Sequence, residues 1–151
     1  GQSTDLHDVK IRNVASDSYI CAVVRLLNDE GNKLYNIDID GVTHVYSGKH
    51  TERPEFVVRI GDMNYAKKHS TLGDTHHISV KNVYSHGKFA VGLFKGLVDA
   101  ELDNIIVADG GSYGFGSHAG GNAVIENVRF GNFITLSDGA KAFCENSFTQ
   151  K

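Results

Sequence analysis

The chain has 151 residues, 40% of them hydrophobic, and a formal net charge of −3. That length fits one domain spanning residues 1–151. The charge offers no basic stripe for nucleic acid, and no run of about 18 apolar residues is present to cross a membrane. Cys21 and Cys144 lie far apart inside apolar runs; they read as buried free thiols, with neither a disulfide framework nor a zinc spacing.

The first predicted strand carries the phrase Leu6-His7-Asp8-Val9-Lys10-Ile11-Arg12-Asn13-Val14. Leu6 is reached with no Met and no signal peptide before it, so the chain reads as a piece of a longer, processed protein; a secreted or cell-surface location is expected for it. The phrase returns as Leu34-Tyr35-Asn36-Ile37-Asp38-Ile39-Asp40-Gly41-Val42, then as His77 to Val83 without the leading Leu, then as Leu102 to Gly110. Weaker echoes end at Asn127-Val128 and Asn146-Ser147. Apolar and polar residues alternate in each copy, and period two means strand.

A second strand lies between the copies. Val23-Val24-Arg25-Leu26-Leu27-Asn28 matches Val57-Val58-Arg59-Ile60-Gly61-Asp62, and Ala90-Val91-Gly92-Leu93-Phe94-Lys95 follows in frame. Tyr113 to His118 and Phe133 to Asp138 are shorter copies. No segment shows a helical apolar period. Repetition at such periods means a stacked architecture, with equivalent strands paired about 4.8 Å apart. The expected inward columns are Val9/Ile37/Ile78/Ile105 and Ile11/Ile39/Val80/Val107/Ile125. Asn13, Gly41, Asn82, Asp109, Asn127 and Asn146 align at the strand end, where Asn and Gly tolerate positive φ.

These repeated Asn-Ile-x-Ile-x-Asn-Val phrases resemble the right-handed parallel β-helix of the pectate-lyase-like superfamily over nearly the whole chain. The resemblance implies an all-β fold, a short right-handed single-stranded parallel β-helix of about five to six coils. It also implies polysaccharide substrates, often uronate-rich, handled by lyases or glycoside hydrolases. Tyr84-Ser85-His86-Gly87 lacks the first Gly and the paired upstream aspartates of the polygalacturonase phrase, so the catalytic residues stay unassigned.

On the outer side of the first-strand copies, Lys10/Asp38/Ser79/Ile106 and Arg12/Asp40/Lys81/Ala108/Glu126 form columns of alternating charge. Asp38 and Asp40, about 6.6 Å apart by strand rise, suit a glycosidase pair. Their basic neighbours favour a structural ladder instead. The second strands are apolar on both faces, which calls for a cover: a loop, a further domain or a second subunit.

Arg25 and Arg59 stack there with like charge. Nearby acids can neutralise them, or the two guanidinium forks can hold a carboxylate or sulfate of an anionic glycan, with Lys95 extending the site. Two insertions, Thr43 to Pro54 and Met63 to His76, add Tyr65, Lys68 and His69 as binding candidates. In a lyase reading His86 and Arg59 are the catalytic candidates, as base and carboxylate neutraliser. His76 and His77 precede a strand and are expected to point to opposite sides, so no metal site is expected. Calcium assists some lyases, but nothing in this sequence indicates it. Gly110 to Gly121 fails the dinucleotide fingerprint for want of a following helix. The expected function is processing or binding of an acidic polysaccharide; the alternative is a noncatalytic structural or oligomerisation module.

Overall fold

The computed structural model describes residues 4–17, 22–27, 32–45, 56–61, 72–87, 89–93, 96–108, 113–114, 123–135, 142–143 and 148–150. Among the described residues twelve strands follow in chain order: β1 (Leu6–Ser16), β2 (Ala22–Leu26), β3 (Leu34–His44), β4 (Phe56–Ile60), β5 (Thr75–Ser85), β6 (Phe89–Leu93), β7 (Leu97–Val107), β8 (Tyr113–Gly114), β9 (Ala123–Phe130), β10 (Phe133–Thr135), β11 (Ala142–Phe143) and β12 (Phe148–Gln150). No helix occurs among the described residues.

Every pairing is parallel. One sheet runs β1-β3-β5-β7-β9-β12, with β10 also on β7; a second runs β2-β4-β6; β8 and β11 form a short pair. Long and short strands alternate along the chain, so each strand pairs with its equivalent in the next repeat. The result is all-β with stacked parallel sheets, compatible with a parallel β-helix.

The long strands are not plain alternations. In β3 and β5 the first, fourth, sixth, ninth and eleventh residues are buried. The inward spacing is therefore three, two, three, two. Each three-residue step contains a left-handed residue: Asp8, Asn36, His77, Asp99 and Asn127 at the third position, Asn13, Gly41, Asn82 and Asn104 at the eighth. Asn, Asp, His and Gly are the residues that reach this region at least cost. The reversal sends two consecutive side chains outward and bends the chain twice per long strand.

The register fixes the columns. Val9, Ile37, Ile78, Ala100 and Val128 stack, as do Ile11, Ile39, Val80 and Leu102, and Val14, Val42, Val83 and Ile105; Phe130 and Phe133 are the next backbone register partners of Leu102 and Ile105. Ile105 therefore lies beside Val83, not Ile78, and Asn104 rather than Asp109 continues the ladder of Asn13, Gly41 and Asn82. Asn127 belongs to the other left-handed column, and Phe133 begins the last segment of a long strand rather than a short-strand copy. The sequence phrase slips by five residues here because β7 carries the polar-apolar-x-apolar motif twice, at Asp99 to Leu102 and at Asn104 to Val107.

For the short strands the expected frame holds: Val24/Val58/Val91, Arg25/Arg59/Gly92 and Leu26/Ile60/Leu93 pair as read. All five residues of β4 are buried by the chain itself, and Val57 and Ala90 are fully so. The face expected to need a cover is thus covered at β4 and β6, and half open at β2, where Val23 is partly buried and Arg25 exposed. Cys21 and Cys144 lie outside the described residues.

One backbone position is especially constrained. Gly41 has φ +86°, and a Cβ there would sit 3.0 Å from Asn13 Oδ1. Gly41→Ala is expected to lower stability by about 1–2 kcal/mol, the usual cost of a left-handed L-residue. Gly41→Asn, the residue type found elsewhere in this column, should lose less. Urea unfolding of both variants checks the order.

Candidate functional site

The two bends give the outer face of the large sheet a trough. It has a volume of about 970 Å³ and crosses all five long-strand repeats. The third-position column, Asp8 to Asn127, forms one wall. The outward residues of the fifth position (Lys10, Asp38, Ser79, Glu101, Arg129) and the seventh (Arg12, Asp40, Lys81) form the floor.

Its polar groups are bonded in a chain along the stack. Asn36 Nδ2 donates to Asp8 Oδ1 at 3.1 Å, and Asn127 Nδ2 donates to Asp99 Oδ1 at 2.7 Å. Arg12 donates Nη1 to the Asp38 carbonyl at 2.9 Å and pairs through Nη2 with the Asp38 carboxylate. The expected ladder is present from β1 to β5, but Glu101 and Asp103 continue it in β7 rather than Ile106 and Ala108, and Glu126 pairs with Val98. The guanidinium of Arg12 reaches diagonally to Asp38 rather than to Asp40 opposite it. Asp40 accepts instead from Asn82 Nδ2 at 2.7 Å, and Asn104 in turn donates to Asn82 Oδ1 at 2.7 Å. Glu101 is shared by Lys81 at 3.7 Å and Arg129 at 3.5 Å. Among the described residues Lys10 has no ion-pair partner. His7 and then Asn36 hold the Asp8 carboxyl below the usual carboxylate range through hydrogen bonds to its oxygens.

Five acids face four permanent cations, so the trough is polar without being a basic patch. Asp38, Asp99 and Glu101 keep 36–40% of their side-chain surface in water. The arrangement suits hydrogen bonding to an extended polar ligand.

Beside the wall runs a stack of rings: His7 on Tyr35 (centroids 4.9 Å apart, 6° between planes) and Tyr35 on His76 (4.8 Å, 3°). His76 and His77 lie within β5, not before a strand. Because His77 is left-handed (φ 53°), both side chains emerge on the outer side, and their Nδ1 atoms approach to 2.7 Å. The expectation that they point apart fails for that reason. No group of three or more His, Cys, Asp or Glu side chains suited to a metal occurs among the described residues.

The residues singled out from sequence fall elsewhere. Arg25 and Arg59 are register neighbours, Arg25 exposed and Arg59 only 5% exposed, with its Cζ 6.0 Å from the Phe56 ring centroid. His86 sits past the end of β5 against Tyr84 (5.5 Å) and the fully buried His44 (6.4 Å), away from the trough. Tyr65, Lys68, His69 and Lys95 lie outside the described residues. The wall column Asp8/Asn36/His77/Asp99/Asn127 was missed. Its signal was an Asn, Asp or His immediately before each apolar-x-apolar triplet.

A scan against protein-family models, a search of curated proteins and a search of solved structures each return no match to this chain.

Proposed function

We propose that this chain is a right-handed parallel β-helix of five to six coils, of the pectate-lyase-like kind, that binds an acidic polysaccharide along the outer trough. The trough itself carries this reading: it is long, polar and built from donors and acceptors repeated about every 4.8 Å. A linear glycan presents hydroxyls to Asp8, Asp40 and Asn127, and uronate carboxylates to Lys10, Lys81 and Arg129. Binding is favoured over cleavage because the trough carboxylates are engaged and open to water. Such a ligand places the protein at a cell surface or in a secreted setting.

The test is affinity for polygalacturonate oligomers. Lys10→Ala should weaken binding roughly tenfold or more, the scale of one charge-assisted hydrogen bond. Arg25→Ala, on the other sheet, should leave it unchanged. No absorbance from unsaturated products should develop. Loss of binding in Arg25→Ala with Lys10→Ala intact would move the site to the β2-β4-β6 sheet.

A further inference from the structure

We infer that one hydrogen bridges His76 and His77 across their Nδ1–Nδ1 contact, and that protonation of both rings breaks this contact and turns His77 toward Asp99, making the trough wall less anionic in acid.

The argument begins with hydrogen-bond bookkeeping. At 2.7 Å one Nδ1 carries the hydrogen and the other presents its lone pair. The accepting ring is therefore neutral, with its hydrogen on Nε2. Two imidazolium rings would set two N–H groups and two positive charges against each other, so the doubly protonated pair cannot keep this geometry. The backbone holds the rings together, since the left-handed turn at His77 puts both on one side. Tyr35, stacked flat on His76, limits that ring's freedom to turn away.

The charged surroundings decide which ring moves. His76 faces Tyr35 of β3, His77 of its own strand, Lys33 before β3, Asp99 of β7 and Asp5 before β1. Burial, followed by His77 and Lys33, pushes the proton affinity of His76 down, against smaller opposing pulls from Asp99 and Asp5. His77 is more exposed and has Asp99 Oδ2 3.9 Å from its Nδ1. The carboxylate's other oxygen is held by Asn127. Asp99 is thus a fixed acceptor within a small rotation, and His77 is the ring free to take it.

The sign follows. His76 has a folded-state affinity below its ordinary value of 6.5, so as pH falls below that value the unfolded chain takes up the proton first. Stability declines through that window and levels off once the folded pair is itself doubly protonated. The consequence for a ligand rests on the trough being a uronate-glycan site; the proton-sharing pair does not.

The test is an NMR titration of the imidazoles in the full chain, from about pH 8 to about pH 5, the range over which histidine changes charge. The pair should titrate in two separated steps, the lower one below the ordinary histidine value. The Asp99 and Asn127 backbone amides should shift with that lower step. His77→Asn should collapse this to one step and raise it; Asn already occupies this column at Asn36 and Asn127, so the variant keeps the fold. Independent single-step titration of both histidines, or a His76 unchanged by His77→Asn, would overturn the proposal.

Affinity for a polygalacturonate oligomer is the second arm. It should rise severalfold from neutral to acid in the native chain and rise less in His77→Asn, where only His76 changes charge. Binding that ignores pH in the native chain would refute the change in wall charge. Failure to bind at any pH would reject the glycan reading, while the spectra alone judge the pair.

Discussion

Leu102→Ala is expected to lower the free energy of unfolding by roughly 2–5 kcal/mol, the range for emptying a fully buried aliphatic site. Leu102 is 0% exposed. It lies in the column of Ile11, Ile39 and Val80, and β9 pairs with β7 on its other side. A stacked ladder cannot collapse along its axis without breaking parallel hydrogen bonds, so the cavity should remain and the loss should fall in the upper half of the range. Ile106→Ala, on the outer side of the same strand and only partly buried, should lose much less. Urea unfolding of both variants measures the contrast. A larger loss in Ile106→Ala would mean that the inward and outward faces of β7 have been exchanged.

The second large effect is expected at Asn82. Its side chain donates to Asp40 and accepts from Asn104, both at 2.7 Å, and its backbone is left-handed (φ 56°). Asn82→Ala removes both bonds and leaves a methyl-bearing residue in a conformation that it tolerates poorly. The combined loss should be roughly 2–4 kcal/mol. Asn82→Gly keeps the backbone freedom and loses only the bonds, so it should fall about midway between the native chain and Asn82→Ala. If Gly and Ala variants lose equally, the bend contributes nothing and the amide ladder everything.

Much of this architecture was legible from residues. Ile37-x-Ile39 and Ile78-x-Val80 announce strands whose inward faces stack, and Val57-Val58-Arg59-Ile60 announces the second sheet in its correct frame. The bends were half legible. Asn13, Gly41 and Asn82 were read as a turn column, but Asp8, Asn36, His77 and Asp99 passed as ordinary polar residues of a strand. An Asp or His favours the left-handed region only a few-fold, so one copy carries little information; the column becomes visible only once the register is known. That register failed at β7 because Asn104-Ile105-Ile106-Val107 satisfies the same pattern as Asp99-Ala100-Glu101-Leu102, five residues earlier.

The trough was hidden for the same reason. Lys10 with Asp38, and Asp40 between Arg12 and Lys81, were recognisable as an alternating ladder, and such a ladder on a flat strand is a solvated face. Two left-handed bends per strand turn that face into a trough, and no single residue states this. The outward placement of His76 and His77 likewise depends on φ at one residue rather than on alternation. Arg59 shows the converse: a like-charged stack with Arg25 looks like an anion grip in sequence, yet its side chain is buried beside Phe56.

The most direct test of the trough as the ligand site is a titration of amide NMR spectra with a polygalacturonate oligomer. Shift changes should concentrate at Lys10, Asp38, His77, Ser79, Lys81, Glu101 and Arg129, forming one line across β1, β3, β5, β7 and β9. Changes centred on Arg25 and its sheet, or none at saturating oligomer, would contradict it.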